Sequence, residues 1–154
     1  MQALDLPPFD VKLTQSATNQ PLIWDILRRK HVVLTPEEWV RQHMVHYLIN
    51  DLGYPRGLLA LERGLRYNQR QKRTDLLALD PAGQPLLLVE CKAPSVAIDA
   101  AVARQAATYN QTIGAPLLLL TNGLVHYCWR VDFATRTNQR LAEIPPFAKA
   151  MQGP

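Results

Sequence analysis

Apolar side chains recur at spacings of three and four through Val40, Met44, Tyr47, Leu48 and Leu52, which predicts a helix with one buried face. Both ends of this helix carry signals. Thr35 can cap the first turn, Pro36 suits the first helical position and Glu38 stands three residues after the cap; Gly53 and Pro55 stop the run, so the helix should span about 36–52. Farther on, residues 58–67, interrupted by Gly64, and 74–79 read as strands, and DPAGQP at 80–85 is a turn by composition. Residues 86–89 are apolar at consecutive positions, the pattern of a strand covered on both faces and hence central in a sheet. Ser95 precedes an alanine-rich second helix over 96–113, closed by Gly114 and Pro116. Residues 117–121 and 124–131 flank Asn122-Gly123, the favoured dipeptide of a two-residue hairpin turn. Residues 1–34 hold short apolar pieces split by the polar SATNQP, an irregular or hairpin-like arm; beyond Asp132 the chain is polar up to Ile144 and Phe147, an edge or tail. The order of arm, helix, three strands, helix and two strands predicts an α/β fold with a mixed sheet, not a bundle or a repeat array.

At 154 residues, with 47% hydrophobic and 19% charged side chains, the chain suits one domain around one core. No stretch approaches the roughly eighteen consecutive apolar residues of a bilayer span, so no membrane partner is expected. The start MQALDLPPFD lacks the basic head and apolar run of a secretory signal, which makes the cytoplasm the expected location. Cys91 and Cys128 lie in apolar segments and suit buried thiols better than a disulfide framework or a zinc site. Neither GxxxxGK[ST] nor GxGxxG occurs, which removes the phosphate cradles of motors and dinucleotide enzymes. The net charge of +4 is unevenly spread: Arg63, Arg66, Arg70, Lys72 and Arg73 fall close together, and Arg28, Arg29 and Lys30 form a second cluster. A polyanion such as DNA suits these clusters, although a solvated basic face would produce the same pattern.

The chemistry concentrates in Asp75, Glu90 and Lys92. Side chains alternate across a strand, so Glu90 and Lys92 share a face, and a hairpin turning near Ala82 and Gly83 brings Asp75 opposite them. Two carboxylates suit Mg²⁺, a hard cation that keeps positions for water or phosphate oxygens. A neighbouring lysine can hold the attacking water or balance charge on phosphorus. An ordinary surface ion pair is the plain alternative for a generic ExK. Here the pair ends an almost wholly apolar strand, where charge is costly to keep without a purpose. The four histidines form no HExxH motif, and no nucleophile elbow surrounds a serine.

Asp75 followed by Glu90-Cys91-Lys92 at the end of an apolar strand resembles the PD-(D/E)xK nuclease superfamily, with Thr74 in place of the proline of the motif's name. The run Thr35-Pro36-Glu37-Glu38-Trp39-Val40-Arg41-Gln42, Arg73-Thr74-Asp75, Glu90-Cys91-Lys92-Ala93-Pro94, Gln105 with Tyr109-Asn110, and Thr121-Asn122-Gly123 resemble the N-terminal nuclease domain of type I restriction enzyme R subunits. The likeness covers roughly residues 20–147 and is nearest to short stand-alone members.

The resemblance implies a restriction-endonuclease-like core: a mixed central sheet flanked by helices, residues 35–147, with an arm at 1–34 packed on it and a tail at 148–154. It implies that Asp75, Glu90 and the backbone carbonyl of Cys91 hold Mg²⁺ or Mn²⁺, that Lys92 assists the water, and that Glu38 adds an acid from the first helix. Glu38 is equally readable as the last residue of a capping box. Gln105 and Tyr109 match the QxxxY motif of the same branch, and four residues on a helix set both on one face. Arg63, Arg66, Arg70, Lys72 and Arg73 are the expected DNA contacts. The function so implied is a Mg²⁺-dependent DNA endonuclease of restriction type. The alternative is a non-cleaving or partner-dependent DNA-binding or assembly module of the same fold. With no motor, methyltransferase motif or target-reading domain in the sequence, other restriction subunits are the expected partners for a complete restriction cycle.

Overall fold

The computed structural model describes residues 1–62, 66–67, 70–71 and 75–154, and within 62–75 it describes the backbone alone. The arm is a small antiparallel sheet of β1 (Leu13–Gln15), β2 (Pro21–Asp25) and β3 (Lys30–Val33). Helix α1 (Pro36–Asn50) follows at once, and the Thr35 hydroxyl accepts from the Glu38 N–H at 3.0 Å, as the cap signal predicts. After β4 (Leu59–Glu62) come the two-residue strands β5 (Arg66–Tyr67) and β6 (Arg70–Gln71), which pair only with each other. Next are β7 (Asp75–Leu79), β8 (Pro85–Cys91), helix α2 (Ala100–Ile113), β9 (Leu117–Thr121), β10 (His126–Asp132), β11 (Thr137–Leu141) and the short helix α3 (Phe147–Ala150).

The main sheet has the order β11-β10-β9-β8-β7-β4. Among the described residues only β8 and β9 are parallel, and α2 makes the crossover between them. Helix α1 covers one face: Val40, Met44, Val45 and Leu48 pack with Leu76, Leu87, Val89 and Leu119. Helix α2 covers the other, where Ala106 and Tyr109 pack with Leu77, Leu88, Leu118 and Leu120. Every residue of β8 after Pro85 is buried, which is why its sequence shows no alternation. The fold is therefore α/β, a mixed six-stranded sheet flanked by helices with a separate three-stranded sheet at the N-terminal side. Among the described residues no helix is long and apolar enough to cross a membrane.

Two local expectations change. Helix α2 begins after Asp99, whose carboxylate accepts from the Val102 N–H at 2.9 Å, and not after Ser95. The Val96 carbonyl is taken by the Asn122 side-chain N–H (2.9 Å), and the Val96 N–H bonds the Ala93 carbonyl, so this segment is a turn. Likewise, Thr121 pairs with His126, leaving a four-residue loop in place of the two-residue turn. Asn122 Oδ1 accepts from both the Leu124 and Val125 N–H groups, which closes the loop through a side chain.

Candidate active site at the end of the central strand

Strand β8 carries Glu90 on its α2 face, because Leu88 belongs to the α2-side core while Val89 and Cys91 belong to the α1 side. Lys92 follows two positions later, and its ammonium lies 3.4 Å from Glu90 Oε1. The lysine side chain is 25% exposed and the glutamate's 10%, so the pair opens to solvent at the lysine. Glu90 Oε2 is buried and has no hydrogen-bond partner among the described residues. A buried carboxylate oxygen left so is costly, and it is the kind of atom a cation would satisfy.

The hairpin between β7 and β8 is as expected, with Leu76 opposite Val89 and Leu77 opposite Leu88. Continued by one residue, that register sets position 75 across from Glu90. The Asp75 side chain lies outside the described residues. Among the described residues no three His, Cys, Asp or Glu side chains gather as a metal cluster. Cys91 is buried on the opposite face from Glu90, so only its backbone is offered toward the Glu90 site.

The strand end is held by β9 and its loop. Lys92 N–H donates to the Thr121 carbonyl at 2.8 Å, continuing the β8–β9 ladder past Cys91. The Thr121 hydroxyl accepts from the Gly123 N–H and bonds His126 Nδ1 at 2.7 Å. His126 Nε2 donates to the Asp5 carbonyl, so the ring bridges the Thr121 hydroxyl and the N-terminal segment. With the bond from Asn122 to Val96, the Thr-Asn-Gly run thus fastens the chain that leaves Lys92. Sequence reading recognised the run but assigned it only a turn.

Glu38 belongs to a different cluster, at the start of α1. Its carboxylate does not fold back onto the cap. Oε1 accepts from Arg41 at 2.9 Å and Arg28 at 3.4 Å, and Oε2 from Gln42 at 2.9 Å. Arg28 also meets the fully buried Asp25 at 3.2 Å. Burial opposes the Arg41 charge, but Cys91, Glu38 and Glu37 outweigh it and hold its pKa above the ordinary value. Arg41 therefore stands between Glu38 and the end of β8. Arg28 and Arg41 were not singled out as partners of Glu38; only the Arg41 spacing, three residues on, offered a sequence signal.

On α2, Gln105 is exposed, whereas Tyr109 is 3% exposed within the α2-side core. Asn110 is also buried, donating to the Ala115 carbonyl and accepting from its N–H, which ties the helix to the start of β9. Of the expected DNA contacts, Arg63, Lys72 and Arg73 lie outside the described residues; Arg66 and Arg70 occupy β5 and β6, with side chains outside the description.

Residues 36–145 match the family model of the type I restriction enzyme R protein N terminus. Among solved structures, the chain is similar to a fragment assigned to an HsdR subunit of a type I restriction enzyme from Vibrio vulnificus YJ016, with a TM-score of 0.50 and 20% identity. That alignment covers 77% of this chain and 25% of the fragment, so the chain spans about a quarter of that length. At such identity the likeness carries the fold alone. No curated protein matches.

Proposed function

Because the chain belongs to the family of type I restriction enzyme R protein N termini, we propose that it is a metal-dependent endodeoxyribonuclease domain of the PD-(D/E)xK type. The observation that carries this reading is Glu90: a carboxylate at the end of a strand buried from Leu86 on, with Lys92 against one oxygen and, among the described residues, no hydrogen-bond partner for the other. A divalent cation fits that orphaned oxygen, and Asp75, Glu90 and the Cys91 carbonyl would hold Mg²⁺ or Mn²⁺ there. Such a cation supplies charge neutralisation at phosphorus and lowers the pKa of a bound water.

The rest of the chemistry falls to the chain. The Lys92 ammonium, anchored through its backbone to Thr121 and with a quarter of its side chain open to solvent, orients the attacking water and offsets the negative charge that builds on the phosphoryl oxygens. Glu90 keeps that ammonium in place. Burial of the surrounding strand limits water to the open side, which strengthens both charge interactions. DNA is the substrate, and other restriction subunits are the partners for the translocation and target reading that the resemblance to R subunits implies.

The test is conversion of supercoiled plasmid by the purified chain. Nicked or linear product should form with Mg²⁺ or Mn²⁺, vanish with chelator, and be absent for Glu90→Gln. A wild-type chain that binds duplex but cleaves in neither metal would favour a non-cleaving binding or assembly module.

A further inference from the structure

We propose that the N-terminal sheet is a second DNA-binding surface, which grips the phosphate backbone of duplex DNA through Lys12, Arg29 and Lys30 beside Trp24 and His31. It precedes the residues that match the family model. The choice of DNA as the polyanion rests on the proposed nuclease function; the surface itself rests on charge and register.

Between residues 12 and 33 the charged side chains are Lys12, Asp25, Arg28, Arg29 and Lys30. The single acid, Asp25, is fully buried: Oδ1 accepts from the Leu27 and Arg28 N–H groups, and Oδ2 faces Arg28. Arg28 is thereby engaged within the fold. Lys12, Arg29, Lys30 and His31 are all exposed, so the charge this sheet offers to solvent is positive. Trp24 pairs with His31 across β2 and β3, and the Trp24 N–H donates to the Lys12 carbonyl, which sets residues 12, 24 and 31 in one row. That row lies on the face away from buried Ile23 and Asp25, with the Trp24 and His31 rings 5.1 Å apart. Lys30, opposite Asp25, starts β3 on the other face by alternation, and with Arg29 it adds exposed charge at the turn end of the sheet rather than in the row. An aromatic pair with Lys12 in its row and these cations at its end suits a nucleic-acid backbone, where lysine and arginine neutralise phosphates and flat rings rest against sugars and bases.

The turn between β2 and β3 adds a separate argument. Arg29 sits at φ +57°, the left-handed region that favours glycine or asparagine. The fold tolerates strain there and presents a long cation where a smaller residue would sit more easily. The tip is also joined to the catalytic end of the molecule: Arg28 reaches Glu38, Glu38 reaches Arg41, and Arg41 interacts electrostatically with Cys91, between Glu90 and Lys92.

The experiment is fluorescence anisotropy of a short labelled duplex in Ca²⁺ over a salt series, so that binding is read without cleavage. The triple variant Lys12→Gln, Arg29→Gly, Lys30→Gln should lose at least about tenfold in affinity at physiological salt and reduce the slope of log K against log salt by roughly two to three units, close to 0.9 per contact. Arg29→Gly alone should keep or raise the melting temperature while weakening binding several-fold, which separates lost contacts from lost folding. A control, Arg104→Gln with Arg136→Gln, removes two exposed cations elsewhere and should change affinity less than about twofold. Unchanged affinity and slope in the triple variant, or an equal loss in the control, would overturn the proposal. Failure of the wild type to cleave while it still binds through Lys12, Arg29 and Lys30 removes the nuclease reading and leaves this surface standing.

Discussion

Glu90 keeps a carboxylate where one oxygen has Lys92 and the other has no partner among the described residues, an arrangement that costs stability until something positive arrives. Glu90→Gln should therefore leave the metal-free melting temperature unchanged or raise it. Divalent cation should stabilise the wild type, by about 2.7 kcal/mol at a hundredfold excess over Kd, and should not stabilise the variant. Differential scanning calorimetry with and without Mg²⁺ measures both. Cys128 gives a pH dependence of a different kind. Burial pushes its thiol from 9.0 up to about 12, so the folded state keeps a proton that the unfolded state releases above pH 9. Stability should then fall by about 1.4 kcal/mol per pH unit between pH 9 and 12, and Cys128→Ala should flatten that slope in urea titrations. At this scale the sequence was legible where neighbours are local. Thr35 as a cap and Glu90 with Lys92 follow from spacing alone. Arg28 with Glu38, ten positions apart across a turn and a strand, does not, because only the packing of the arm on α1 brings them together.

Among the elements, the loop after β9 does more than reverse the chain. Gly123 lies at φ +85°, and a Cβ there would stand 2.8 Å from a Leu4 methyl and 3.1 Å from Val40. The same glycine accepts from the Asp5 N–H, so residues 4–6 dock over the loop that secures the chain after Lys92. Gly123→Ala should cost at least about 1–2 kcal/mol from its backbone conformation alone, with more from displacing Leu4, seen as a lower urea midpoint. Elements were legible where burial imposes a pattern: α1 from its three-and-four spacing, β8 from its unbroken apolar run. Strand β11 was not, since Thr137–Leu141 is a mostly exposed edge strand of polar residues and pairs on one side only. The start of α2 was misread for a related reason. Ser95 is an acceptable cap by type, but the Asn122 side chain takes the Val96 carbonyl, a long-range bond that no local pattern announces.

For the whole molecule, the sheet works as a divider. Its α1 face bears the cluster of part-buried Arg28 with buried Glu38 and Arg41, and the N-terminal sheet; its α2 face bears Glu90 and Lys92. The α/β class followed from element order, whereas the strand order follows from the parallel β8–β9 step, which a mixed pattern of strands leaves open. The nuclease account turns on whether Lys92 serves the transition state or merely the surface. Single-turnover cleavage of labelled duplex in Mg²⁺, measured beside equilibrium binding in Ca²⁺, decides it. Lys92→Ala should lower the cleavage rate constant by about a hundredfold or more while the dissociation constant moves by no more than about fivefold. Cleavage that survives Lys92→Ala undiminished, or a loss of rate matched by an equal loss of binding, would contradict it.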